Sequence, residues 1–342
     1  MKKFISMFCI LAVLLFAFAA CANNSTESTT EPTYTPAPVH TPAAETTPQP
    51  TDIPSYDYST EYTPDSVATI IYDREGFPVT LPAQMDRLIS IGPSNTEILA
   101  ELGFASQIIA TDMFSDNVPG IQPGISVLDM MALDLEHIIY LEPDIVFVTG
   151  MTRVGGEDPL AVVSNMGISV IHMPISTSIA DIKEDILFIA SVVDAIDKGY
   201  AIVTEMTREI DRISAIGQTI TDRRTVYFEI SPAPFMVSFG TGTFLHEMIE
   251  LVGAVNIFGD QEGWLAVSDE ALLEINPDVI LTSVDFIDDP IADITERSGW
   301  NAITAIQNGD IFIIDTDASN RPSHNIIVAL REIAEAIYPG KF

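Results

Sequence analysis

Apolar residues along this chain follow two alternating rhythms. Unbroken, largely β-branched apolar runs at 145–148 and 279–281 predict buried strands of a parallel sheet covered on both faces, and the stretches at 88–91 and 226–230 predict two further strands. Elsewhere the apolar positions recur at helical spacing. Ile179, Ile182, Ile186, Ile189 and Val193 share one face, and Ile202, Met206, Ile210 and Ile213 share another. Strands alternating with helices in this way predict an α/β fold.

The alternation also repeats at long range. DLEHIIYLEPDIVFVT (134–149) and SDEALLEINPDVILTS (268–283) match at Glu136, Pro143 and Asp144 against Glu270, Pro277 and Asp278, always at the same offset. Each predicts a short helix N-capped by Asp134 or Ser268, stopped before the proline, then a buried strand. A second layout recurs as well: a strand, a glycine- and proline-bearing loop, and a helix ended by Gly103 or Gly253. In its first copy Ser94 or Asn95 is expected to cap the helix, with Ser94 and Glu97 at capping-box spacing. Two similar lobes follow from these repeats, each with one glutamate at the second position of a helix. The expected bounds are an N-terminal lobe at 67–174, a helical bridge at 175–218 and a C-terminal lobe at 219–342. A hairpin turning at 73–76 opens the first lobe. A strand, the loop ASNRPSHN and a helix at Ile326–Ile337 close the second. With a helical joint between lobes, large hinge motion is not expected.

The N-terminus has a different character. Residues 1–21 read as an export signal: Lys2 and Lys3, an apolar run too short to span a bilayer comfortably, then FAFAAC ending at Cys21. Small residues before that cysteine resemble the lipobox of bacterial lipoproteins, in which the cysteine becomes the lipidated N-terminus. Phe18 stands where that pattern usually has leucine, and cleavage at an Ala-x-Ala site is the alternative. Residues 22–66, rich in Thr, Pro, Ser and Glu, cannot bury enough apolar surface to fold. They are expected to form a tether with an end-to-end distance of roughly 40 Å.

Composition narrows the function classes. The chain has 342 residues, 47% of them hydrophobic, enough for two domains with real cores. With 49 Asp and Glu against 15 Lys and Arg, the net charge is −34, so nucleic acid and anionic headgroups are poor partners. Cys9 and Cys21 are the two cysteines, which leaves the folded part without disulfide, thiolate metal site or cysteine nucleophile. His40, His137, His172, His246 and His324 show no ligand spacing, so no metal site is expected. No G-x-S-x-G, H-E-x-x-H or Walker motif occurs. The turn GTGTF could cradle an anion at a helix N-terminus or simply cap that helix.

The segments LISIGPSNTEILAELG, LDLEHIIYLEPDIV, FGTGTFLHEMIELVGAVNIF, GWLAVSDEALLEINPDVI and RPSHNI, in this order, resemble the substrate-binding proteins of ABC importers for cobalamin, ferric siderophores and haem. The resemblance runs from about residue 67 to 339. It implies two Rossmann-like lobes with parallel sheets, joined by a long bridging helix, with ligand held in the cleft between them. It also implies a monomer, anchored by lipid on the extracellular face of the cell membrane, that binds without catalysing and delivers to permease and ATPase subunits.

Ligands of parallel α/β lobes lie beyond the carboxyl ends of strands. That rule selects the loops at 93–95, 112–115, 149–153, 231–235 and 317–321. By resemblance, Phe114, Met130, Phe235, Trp264, Asp317 and Arg321 fall at pocket positions, with Ser94, Asn95 and Arg153 beside them. Phe114 and Phe235 could instead serve local packing, and Asp317 with Arg321 a surface ion pair. The family's usual arginine is replaced by Asn325. Arg153 and Arg321 are then the obvious cations near the cleft, too few for a trianionic catecholate. A nearly neutral corrinoid is the expected ligand, and an iron complex the alternative; no cofactor is expected beyond this cargo. An α/β enzyme with a cofactor between the lobes is the rival from another class. Glu136 and Glu270, in the resembled family, meet arginines of the two permease subunits; a plain helix-dipole role is the alternative.

Overall fold

The computed structural model describes residues 69–152 and 158–342. The export signal, Cys21, the tether, His40 and Arg153 lie outside the described residues.

A hairpin of β1 (Ile70–Tyr72) and β2 (Pro78–Thr80) leads into the N-terminal lobe. Asp73 closes its turn by accepting from the N–H groups of Glu75 and Phe77. There follow β3 (Leu88–Ile91), α1 (Pro93–Glu101), β4 (Ile108–Asp112), β5 (Ser126–Leu128), α2 (Leu135–Tyr140), β6 (Ile145–Thr149), α3 (Ala161–Asn165) and β7 (Ser169–Met173). The five strands β5-β4-β3-β6-β7 form one parallel sheet. Two helices come next, α4 (Ile179–Val192) and the longer α5 (Ile196–Gly217).

The C-terminal lobe holds β8 (Thr225–Glu229), β9 (Val237–Phe239), α6 (Phe244–Leu251), β10 (Val255–Asn256), β11 (Trp264–Ala266), α7 (Asp269–Ile275), β12 (Val279–Thr282), α8 (Pro290–Thr295), α9 (Thr304–Asn308), β13 (Ile311–Ile313), α10 (Thr316–Asn320) and α11 (Ile326–Ile337). Its parallel sheet has the order β10-β8-β12-β13, and β9 pairs with β11 in a small antiparallel sheet.

The apolar pattern explains this layering. One continuous core passes from Leu88, Ile98 and Phe147 through Ile186, Val203 and Met206 to Val226 and Phe228. It therefore crosses from lobe to lobe through the two helices. Separate clusters around Ile89, Val146 and Val148, and around Tyr227, Ile280 and Trp300, cover the opposite faces of the two sheets. Strands β6 and β12 are buried along their whole length, as unbroken apolar runs require. The expected caps at Asp134 and Ser268 form: each side chain accepts from a backbone N–H three residues on. Ser178 makes a complete capping box with Asp181.

Three local expectations differ. The Ser94–Glu97 capping box is not made, because Gly92 is the N-cap and Pro93 starts the helix. Asn95 instead donates its side-chain amide to the Ile91 carbonyl at 3.1 Å. The stretch before Arg321 is helical rather than looped, since Asp315 caps α10 by accepting from Ala318 N–H at 2.7 Å.

Candidate functional site: the cleft between the lobes

Both main sheets reverse their strand order at the same relative place. In the first lobe the chain builds β3, β4 and β5 outward, then returns to place β6 on the other side of β3. In the second it places β10 on one side of β8 and β12 on the other. Crevices open beyond the carboxyl ends of strands at such switch points. Here the two crevices face each other and enclose a cleft of about 240 Å³.

Gly92 and Thr149, at the ends of β3 and β6, form part of its wall. Gly92 has φ of 115°, and a Cβ there would lie 3.1 Å from Thr149 Cβ, so glycine is required by both backbone and space. Its N–H donates to the buried carboxylate of Asp112 at 2.9 Å. The same carboxylate receives Phe114 N–H at 2.8 Å and Ser115 Oγ at 2.6 Å, and so folds the loop after β4. From the second lobe come Ile230, Val237, Thr243, Phe244 and Trp264. Residues 174–177, beyond the carboxyl end of β7, form the rim on the bridge side. There Ser176 Oγ donates to Asp185 at 2.5 Å, and Arg74 Nε reaches the same carboxylate at 2.8 Å. Burial pushes the Asp185 carboxyl above its usual range, while Ser176 and Arg74 pull against it.

Of the residues expected at the pocket, Ser94, Met130, Trp264 and Arg321 line the cleft. Asn95 is buried behind it. The Phe114 ring packs against the outer core cluster of the first lobe. Phe235 is exposed in the loop two residues before Val237. Asp317 stands off the lining and pairs with Arg321 at 2.7 Å and with Asn117 at 2.5 Å. Burial pushes its carboxyl above the usual range, against the opposing pull of Arg321. Rim residues 175–177 are not among the expected sites, while Gly242, Thr243 and Phe244 of the GTGTF turn line the cleft. The rule about strand ends would have found the rim if applied to β7.

Arg321 makes the ion pair with Asp317 that the sequence offered as the alternative, but it is buried rather than at the surface. It is 9% exposed. Its Nη1 donates to Glu97 Oε1 at 2.9 Å, and its Nη2 donates to Phe114 O at 2.9 Å and Asn117 Oδ1 at 3.0 Å. Glu97 Oε2 accepts from Ser323 Oγ and from Asn325 Nδ2, the latter at 3.0 Å. The guanidinium of one lobe is thus neutralised by a carboxylate of the other. Asn325, the departure from the family's arginine, joins this cluster.

The GTGTF turn serves its own helix. Thr243 Oγ1 accepts from His246 N–H at 3.2 Å as the N-cap of α6 and donates to Gly240 O at 2.9 Å. Among the described residues, no cluster of three or more His, Cys, Asp or Glu is placed to hold a metal ion. The lining is mainly apolar side chains and hydroxyls, the chemistry of a small-molecule binding cleft.

Comparisons with known proteins agree with this geometry. The family profile that matches is that of the periplasmic binding proteins, over residues 88–318. The chain is 29% identical over 275 residues to YvrC of Bacillus subtilis, an ABC transporter substrate-binding lipoprotein, covering 80% of this chain and 86% of that one. It is 26% identical over 258 residues to a vitamin B12-binding protein of Vibrio cholerae, covering 74% of this chain and 89% of that one. A solved structure from Staphylococcus epidermidis, described as a possible iron-binding periplasmic solute-binding protein, matches with a TM-score of 0.65 at 27% identity, over 74% of this chain and 98% of that one. With two facing α/β lobes, a cleft at both switch points and a profile match over more than half its length, the chain belongs to the periplasmic binding protein family.

Proposed function

We propose that this protein is the extracytoplasmic substrate-binding subunit of an ABC importer and that its cleft takes a corrinoid. One observation carries the ligand choice. Among the described residues lining the cleft, the single cation, Arg321, already has its charge met by Glu97. A ligand with several negative charges would lose water there without gaining a counter-charge. A bulky, nearly neutral one would meet Met130, Met151, Ile175, Phe244 and Trp264, with hydroxyls of Ser94, Thr149 and Thr177 for its polar edge. The enclosed space of about 240 Å³ takes only part of a corrinoid. The remainder would lie across the mouth, where Trp264 is partly exposed and Ile175 is exposed. The relative from Vibrio cholerae supports this choice.

Calorimetry tests it: cyanocobalamin and cobinamide should release or absorb heat on titration, and haemin and a ferric tris-catecholate should not. The opposite result replaces the corrinoid with the second reading, an iron complex, which the relative from Staphylococcus epidermidis favours. For haem, Met130 and Met151 are the side chains of axial-ligand type lining the cleft among the described residues, with no His or Tyr beside them.

The rest of the proposal concerns delivery. The protein binds and hands over without catalysing, as a monomer held by lipid at Cys21 on the outer face of the cell membrane. It meets the permease through Glu136 and Glu270, both exposed. Cells fed a labelled fatty acid should label the wild type and not Cys21→Ser; label retained by the variant removes the anchor from the proposal. Absence of turnover on any bound corrinoid separates the binder from an enzyme.

A further inference from the structure

We infer that Glu97 determines which ligands the cleft accepts, by cancelling Arg321 in place so that anionic complexes are refused. The inference rests on the reading of the cleft as the ligand site.

A partly desolvated guanidinium with open N–H groups is a general anion binder. Arg321 lines the cleft, yet both its terminal nitrogens are already bound. Glu97 takes Nη1, while Phe114 O, Asn117 and Asp317 share Nη2. Two carboxylates flank one cation, so an incoming anion meets no net positive charge. Glu97 cannot swing aside, because Ser323 and Asn325 hold its other oxygen and it is 4% exposed. The arrangement spans the lobes: Glu97 is on α1, and its three donors precede α11.

Glutamine at position 97 separates the charge of this residue from its bonding. Its Oε1 can still accept from Arg321. Its Nε2 would face Ser323, whose hydroxyl can accept, and Asn325, whose amide can turn to present oxygen. A residue needed only to hold the lobes together would tolerate that change with no effect on ligand choice.

The test titrates a ferric tris-catecholate into the wild-type chain and Glu97→Gln by calorimetry. Expected is no heat from the wild type and binding by the variant with a Kd at least tenfold below the limit that the wild-type titration sets. A folded variant whose affinity for the tris-catecholate is no tighter than wild type overturns the inference, as does absence of binding by both. Should Glu97→Gln fail to fold, Asp317→Asn carries the test. It removes the more exposed of the two acids on Arg321, and a Kd at least threefold below that limit is expected. No tightening overturns the inference equally. The corrinoid reading is judged separately, on cobinamide binding by the wild type, so either idea can fail while the other stands.

Discussion

Asp144 and Asp278 make the same kind of bond in the two lobes. Asp144 Oδ2 accepts from the N–H groups of Asp86 and Arg87 at 2.9 Å each, just before β3. Asp278 Oδ2 accepts from Thr225 N–H at 2.9 Å and Thr225 Oγ1 at 2.7 Å, at the start of β8. In each lobe the residue after the helix-stopping proline fixes the entry of the neighbouring strand. The Pro-Asp half of the repeat is therefore architectural. Asp278→Ala should cost about 1–3 kcal/mol by leaving partly buried donors unmet. Asp144→Ala should cost less, since its bonds lie at the surface and water replaces them. Urea unfolding midpoints rank the two; a reversed order would contradict this account.

Acid should loosen the contact between α5 and α11. Glu209 is buried and accepts from Arg212 of its own helix at 2.9 Å and from Arg331 of α11 at 2.6 Å. Those bonds, Arg212 first, bring its pKa down from the ordinary 4.5 to about 2. A carboxylate depressed in the folded state stabilises the fold fully above its unfolded pKa and loses that contribution as pH falls through the folded one. Tm of the wild type should accordingly fall between about pH 5 and pH 2 more steeply than that of Glu209→Gln. Parallel curves would mean that the pair adds nothing.

The elements were readable where the chemistry is local. Asp134 and Ser268 cap helices because their partners lie three residues away. Gly103 and Gly253 follow helix ends because φ of 98° and 76° suits glycine. The cleft was readable in part, because strand ends select Ser94 and Thr149 without knowledge of contacts. What failed was long-range. Ser94 and Glu97 have capping-box spacing, but Pro93 had already opened the helix, and Glu97 meets an arginine 224 residues away. Nothing near Arg321 in sequence announces that carboxylate. The sheet of β9 and β11 was missed for a related reason. Each strand has three residues, too few to establish a period, and the pairing of Trp264 with Phe239 joins segments separated in sequence by α6 and β10.

Trp264 should report ligand directly. It is 37% exposed at the cleft and meets Phe239 edge to face, with ring centroids 6.2 Å apart. Trp300, the other tryptophan, is fully buried; its Nε1 donates to Asp269 at 2.7 Å and Arg297 lies over its ring at 4.6 Å. The red side of the emission belongs to Trp264, and cobinamide should quench it while leaving the blue side. Trp264→Ala should raise Kd about thirtyfold, the equivalent of about 2 kcal/mol for a buried aromatic anchor. An unchanged Kd would move the ligand out of this cleft.

Glu136 and Glu270 are the half of the repeat that architecture does not use. Both are exposed in the first turn of a helix, α2 or α7. Neither makes a hydrogen bond or ion pair to another described side chain, in contrast to Asp144 and Asp278 in the same repeat. A dipole contribution of about 0.3–1 kcal/mol accounts for an acid there. It does not account for the same position in both lobes, since Asp269 already supplies α7 with a first-turn acid. Paired exposed acids on two like helices suit a partner with two like basic patches, where charge sets register and encounter rate. The double variant Glu136→Ala with Glu270→Ala should bind ligand as the wild type does and should change Tm by little. It should also lose stimulation of ATP hydrolysis when added to the reconstituted transporter. On a charge-guided encounter, wild-type stimulation should weaken as salt rises, and the double variant's residual stimulation should not. Full stimulation by the double variant at the wild-type concentration would leave the helix dipole as the reason for both residues.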